Sequence, residues 1–255
     1  MGWQDRFSLA GRKALISGAS KGIGAEIATV FAEAGADIVA LGRDQDDLAA
    51  TAAAVRGHGR RCLTLVAEME SPTEPVTACE RALKEWGTID ILVNSAGITN
   101  VAPAVDFSTR DWDQMMAVNL RAPFLTARTL ASAMIAQGWG KIIMISSQTG
   151  VIALDDHAAY AASKGGLNAL TKSLCAEWAR HNVQVNAICP TVVMTPMGKM
   201  VWGKPEKGDP FRNATPARRF AEPVEVADAA LYLASDASSM VNGALLMVEG
   251  GFTSV

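Results

Sequence analysis

The chain has 255 residues, 49% hydrophobic and 19% charged, which is too apolar for a disordered polymer and long enough for one large core. Lys plus Arg number 23 and Asp plus Glu 26, a net charge of −3 that argues against nucleic-acid or anionic-membrane partners. No apolar run is long enough to span a membrane, and the charged start Gln4-Asp5-Arg6 is unlike a secretory leader, so the expected compartment is the cytoplasm.

Short β-branched runs alternate with helical patterns along the whole chain. Residues 13–17 (KALIS) read as a strand, followed by a glycine-rich turn and a helix over 23–34. Strand 36–41, helix 44–56, strand 61–66, helix 73–86 and strand 89–94 follow. A long helical region covers 109–137, with an interruption expected near Pro123. Strand 141–146, helix 157–180, strand 184–188, a helix after Val224 and strand 244–248 complete the series. This alternation predicts a single α/β domain over 1–255, a doubly wound, Rossmann-type parallel sheet of seven strands with helices on both faces. Residues 191–221 carry four prolines and weak periodicity, and are expected to form an irregular substrate lid. The four cysteines contain no CxxC and have no histidine at ligand spacing, so free thiols and no metal site are expected.

The first strand runs into Ser17-Gly18-Ala19-Ser20-Lys21-Gly22-Ile23-Gly24, which then opens a helix. Glycines there let backbone approach a pyrophosphate, and the helix start offers free N–H groups and a positive dipole end to the anion. The second strand ends without a carboxylate, and Arg43 follows it directly. With Lys21 inside the turn, two cations can converge on a ribose 2′-phosphate, so NADP(H) is the preferred cofactor and NAD(H) stays open. Asp44 next to Arg43 suits a helix cap.

The spacing Gly-x3-Gly-x-Gly, together with Asn94-Ser95-Ala96-Gly97 after the fourth strand, resembles the short-chain dehydrogenase/reductase family. Ser17 stands where that family usually has Thr, and Ser95 where it has Asn. Tyr160 and Lys164 are one helical turn apart, so an ammonium can favour tyrosinate and lower the phenol pKa. Ser147 follows the fifth strand, at the carboxyl end where open sheets bind ligands. These three, with Asn119, match the family's catalytic set, and the resemblance extends over essentially the whole chain.

What the resemblance implies is specific. Tyr160 would exchange the proton with the substrate oxygen, Ser147 would hydrogen-bond that oxygen, and Lys164 would tune Tyr160 and hold the nicotinamide ribose. Asn119 would support a water relay through Lys164. Gly18, Ser20, Lys21, Gly22, Ile23, Gly24, Arg43, Glu68, Asn94, Ala96 and Gly97 would hold the dinucleotide, with Pro190, Val193 and Thr195 at its carboxamide. Thr191 stands where Gly usually follows that proline. Within the family, the run from Asn186 to Thr195 and the ending from Val248 to Phe252 resemble the L-xylulose (dicarbonyl) reductase branch of sugar and polyol enzymes. That likeness implies a substrate pocket of Ser147, Gln148, Leu154, His157, Tyr160 and Trp202, a small carbonyl or alcohol substrate, and a homotetramer. The alternatives are a 3-oxoacyl thioester reductase, a gluconate-type sugar-acid dehydrogenase, and a non-catalytic dinucleotide-binding scaffold or redox sensor.

Overall fold

A computed structural model describes residues 2–255. Seven parallel strands form one sheet: β1 Lys13–Ser17, β2 Asp37–Gly42, β3 Cys62–Val66, β4 Ile91–Asn94, β5 Gly140–Ile145, β6 Val183–Pro190 and β7 Leu245–Val248. Their spatial order is β3-β2-β1-β4-β5-β6-β7. The chain thus winds outward one way from β1 and then the other way from β4. The crevice beyond the carboxyl ends of β1 and β4 is the switch point at which such sheets bind ligands.

Both faces of the sheet are buried, so its central strands are apolar throughout rather than alternating. One core packs helices α2 (Gly22–Glu33), α3 (Gln45–Gly57) and α10 (Pro223–Ala234) against Ile16, Ile38 and Ile143. The other packs α4 (Glu74–Trp86), α6 (Ala122–Gln137) and α7 (Ala158–Trp178) against Leu15, Leu92 and Met144. The predicted fold class is the observed one, with strand ends moved by one or two residues.

Two local features add to the expectations and one expectation fails. The segment beginning at Trp3 is a short helix, α1 (Trp3–Phe7), whose Phe7 lies against Tyr232. The long helical region is interrupted before Pro123, by a π-helical turn over Ala117–Arg121 that joins α5 (Thr109–Met116) to α6. Pro123 sits in the first turn of α6, directly after that π-helical turn. Residues 191–221 are not irregular. They contain α8 (Pro196–Trp202) and α9 (Pro205–Ala214), each begun by a proline, and only Pro210 lies inside a helix. Two of the four prolines that read as loop markers are here helix starts.

All four cysteines are free, with Cys79 and Cys189 buried, and no metal-ligand cluster occurs among the described residues. No helix among the described residues is long and apolar enough to cross a membrane.

Candidate active site

The glycine turn packs as tightly as its sequence suggests. Gly18 has φ +70°, and a Cβ there would stand 2.7 Å from the backbone nitrogen of Ala96. Ala96 N–H donates to Ser17 Oγ at 3.3 Å, so the hydroxyl in place of threonine still ties β1 to the β4 loop. A Cβ on Gly24 would collide with the Gly18 carbonyl oxygen. Gly22, at φ +63°, faces the Thr195 methyl at 3.1 Å from an added Cβ. Lys21 precedes α2 and makes no side-chain cap, which leaves the N–H groups at that helix start unclaimed by a cap. A groove of about 420 Å³ runs beside the turn, lined by Ser20, Gly22, Thr195, Pro196 and Lys199 among others. Ile23 begins α2 and packs on the core.

The cations near β2 both have carboxylate partners. Lys21 Nζ lies 2.6 Å from Asp47, and Arg43 lies 3.9 Å from Glu68. Asp44 caps α3 by accepting from the N–H groups of Asp46 and Asp47, each at 3.0 Å. One oxygen of its carboxylate, Oδ1, is therefore engaged with the helix.

Asn94 is a different case. It is buried, accepts from Thr126 Oγ1 at 2.8 Å, and donates to the Pro123 carbonyl at 3.4 Å. Its side chain stitches β4 to α6, and these internal contacts account for it without a ligand.

The four expected catalytic residues come from three elements at the carboxyl edge of the sheet. Ser147 follows β5, Tyr160 and Lys164 lie on α7, and Asn119 sits in the π-helical turn. The Asn119 side chain accepts from Ile98 N–H and donates to Ile98 O, both at 2.9 Å, and donates to Ser163 Oγ at 3.1 Å. A Cβ on Gly97 would lie 3.4 Å from Asn119 Oδ1 and 3.6 Å from Lys164 Nζ, so these three groups meet at one point. Lys164 Nζ donates to the Ile145 carbonyl at 2.8 Å and lies 5.7 Å from the Tyr160 ring centre. Burial holds its pKa down at about 8. Burial also pushes the Tyr160 phenol up, and the hydrogen bond from Ser147 pulls it back. The expected lowering of Tyr160 by its ammonium neighbour is thus not what this structure contains. Loss of water is the larger cause for Tyr160, and the Lys164 amine is turned to the Ile145 carbonyl.

Gln148 and Thr149 form a 3₁₀ turn with Gly150 directly after Ser147. Gln148 is 2% exposed, and its Oε1 has no hydrogen-bond partner. The one other such buried side-chain atom among the described residues is Thr191 Oγ1, just past the end of β6. Sequence reasoning noted Thr191 as a departure and did not place it in the site. His157 stands at the start of α7 with its ring edge-on to Tyr160, centres 6.3 Å apart, and Leu154 is half-buried just before it. Trp202 packs on Phe211 at 5.0 Å and near Phe220 at 6.4 Å. Pro190 ends β6 opposite Val248, Val193 is buried in a bridge to Ala221, and Thr195 caps α8 through Gly198 N–H at 3.1 Å.

A family model described as "Enoyl-(Acyl carrier protein) reductase" matches residues 18–253. The chain is 42% identical to D-threitol dehydrogenase of Mycolicibacterium smegmatis over 97% of its own length and 95% of the relative's. It is 40% identical to L-xylulose reductase of Bos taurus over 96% of this chain and 97% of that one. A crystal structure of a gluconate 5-dehydrogenase from Burkholderia cenocepacia, in complex with NADP and tartrate, is 40% identical, superposes with a TM-score of 0.95 and covers 100% of both chains. With the glycine turn, the Ser–Tyr–Lys edge and the sheet order all in place, the chain belongs to the short-chain dehydrogenase/reductase family, as an oxidoreductase of CH–OH and C=O groups.

Proposed function

We propose that the protein is an NADP(H)-dependent reductase of a small ketose, run in reverse as a polyol dehydrogenase. The observation that carries this reading is Gln148. Its buried, unpartnered Oε1 lies one residue from Ser147, at the sheet edge where Tyr160 stands. A buried acceptor left unpaired costs about 1–3 kcal/mol, so it calls for a ligand that donates there. A hydroxylated carbon chain does so, whereas an acyl chain leaves the acceptor orphaned. The named activities of the threitol and xylulose relatives support the same substrate class.

The glycine turn fits a dinucleotide pyrophosphate, because any Cβ at Gly18 or Gly24 would strike backbone and the α2 start carries no side-chain cap. Gly18, Ser20, Lys21, Gly22, Ile23 and Gly24 would hold that group, with Ala96 and Gly97 beside it. Pro190, Val193 and Thr195 would flank the carboxamide. Arg43 and Lys21 would face the 2′-phosphate, with Glu68 near the adenine. When bound, the dinucleotide donates or accepts the hydride at the reacting carbon.

The chain supplies the proton chemistry. In reduction Tyr160 gives its phenol proton to the carbonyl oxygen as that oxygen gains charge, and in oxidation tyrosinate removes the alcohol proton. Ser147 donates a hydrogen bond to the same oxygen. Lys164 holds the ribose and Asn119 links the amine to solvent through water. Gln148 and His157 pair with further substrate hydroxyls, and Leu154 and Trp202 close the pocket with the segment 191–221 as its lid.

A sugar-acid substrate is less well supported. Arg212 pairs with Asp209, Arg219 makes two bonds to Glu225, Arg218 binds the Asn213 carbonyl, and Lys207 lies over the Trp202 ring. The lid cations are thus largely engaged within the chain. Homotetrameric assembly belongs to the same reading, supported by exposed Trp112, Phe124, Val105 and Met240. The free cysteines support a reducing compartment such as the cytoplasm.

The test is NADPH oxidation against erythrulose, xylulose, diketones, 5-ketogluconate and acetoacetyl-CoA, with NADH in parallel. The ketoses are expected to lead, and Tyr160→Phe to abolish turnover while NADPH affinity stays within about threefold. A strong lead for acetoacetyl-CoA, or an active Y160F, would refute the reading.

A further inference from the structure

Ser147 Oγ accepts two hydrogen bonds from a single residue. Thr149 N–H donates to it at 3.2 Å and Thr149 Oγ1 at 2.8 Å. Both side chains are buried, Ser147 at 9% exposure and Thr149 at 5%. A hydroxyl has two lone pairs and one proton. With both lone pairs claimed by Thr149, the Ser147 proton can only be given outward, away from Thr149. Thr149 Oγ1 has no other hydrogen-bond partner, so this contact is its whole polar role.

The turn that carries these groups is clamped to α7. Ser146 Oγ donates to the Lys164 carbonyl at 3.3 Å, and Asn168 Nδ2 donates to the Gly150 carbonyl at 3.1 Å. A Cβ on Gly150 would stand 3.0 Å from the Lys164 backbone, so the turn lies directly on the helix that bears Tyr160. Ser147 and Tyr160 thus have little room to separate, and the remaining freedom at Ser147 is rotation of its O–H.

We propose that Thr149 is a positioning residue that sets the direction of the Ser147 hydroxyl, making Ser147 a dedicated hydrogen-bond donor to the reacting oxygen. It acts through Ser147 and touches no substrate. The inference rests on the catalytic reading of Ser147 and Tyr160 above. A donor-only serine stabilises negative charge on the substrate oxygen and on tyrosinate. A serine free to turn inward spends part of its time as an acceptor, which repels both.

The experiment compares Thr149→Val, Thr149→Ser and Ser147→Ala. Valine keeps the shape and the backbone N–H but removes Oγ1. Losing one buried hydrogen bond of this kind is expected to cut kcat about tenfold in T149V. NADPH affinity and thermal midpoint should stay near wild type, and T149S should restore most of the rate. The pH profile supplies a readout that a packing role would not move. Tyrosinate is the base in alcohol oxidation, so a weaker Ser147 bond raises the phenol pKa and moves the rising limb to higher pH. T149V should shift that limb to higher pH than wild type, and T149S should not. If S147A is inactive while T149V keeps the wild-type rate and limb, the proposal is overturned alone. If S147A stays active, the catalytic reading fails and the proposal falls with it. Loss of rate in T149V with a lowered midpoint, no shift of the limb and no rescue by serine would mean a packing role, and overturns it also.

Discussion

Arg43 shows how a residue's neighbours qualify its reading. Its charge and place after β2 suit a phosphate, yet the structure puts Glu68 3.9 Å away and pairs nearby Lys21 with Asp47. All four side chains are substantially exposed, so each pair is worth little and yields readily to a doubly charged phosphate. Arg43→Ala is expected to raise KM for NADPH about tenfold and barely change KM for NADH. Steady-state kinetics with both dinucleotides check this, and equal effects would remove the 2′-phosphate as its target. Asp44, expected from sequence to cap a helix, does so through two bonds into the start of α3. Tyr160 and Lys164 were legible from spacing, but their protonation was not, because burial depends on neighbours brought from other elements.

The strand–turn–helix unit β1–α2 was the most legible element, since glycine spacing reports how closely backbone passes backbone. Gly24→Ala places a methyl against the Gly18 carbonyl and should destabilise the fold on the order of 1–3 kcal/mol while abolishing NADPH binding. Gly57→Ala, at the end of α3 with open space around an added Cβ, should leave both near wild type. Urea denaturation and a binding titration on the two variants distinguish a local collision from a general glycine effect. An interruption near Pro123 was legible, but not its form as a π-helical turn at Ala117–Arg121. Its residues differ little in helical preference from their neighbours, and the turn is seen only once Asn119 is found bonded to Ile98 and Ser163. Pro196 and Pro205 misled for a physical reason. Proline disfavours a helix interior and favours a helix start, and sequence alone does not say which applies.

Across the whole molecule, the carboxyl-terminal turn and the segment over the sheet edge form one unit. Phe252 stacks on Phe211 of α9 with ring centres 4.7 Å apart, and Phe211 touches Trp202 of α8. Glu249 holds the same turn by accepting from the N–H groups of Gly251 and Thr253. Phe252→Ala should loosen α8 and α9 and raise KM for the carbonyl substrate several-fold, with a smaller effect on NADPH, because the glycine turn lies on other elements. Faster hydrogen exchange across residues 196–214 with unchanged exchange in β1 and β4 would accompany it. Uniform exchange changes would show that the aromatic stack serves general stability instead.

The sequence by itself determined the alternation of strands and helices, the tight turn after β1 and the Ser–Tyr–Lys spacing. These are properties of residues near one another along the chain, where periodicity, glycine and helical pitch act directly. Only the tertiary structure decided which polar atoms stay unpaired, which cations are already neutralised, and how far burial moves Tyr160 and Lys164. Gln148 Oε1, Thr191 Oγ1 and the doubly bonded Ser147 hydroxyl are defined by what surrounds them. Desolvation and hydrogen-bond saturation are set by packing between distant segments, and no local pattern in the chain records them.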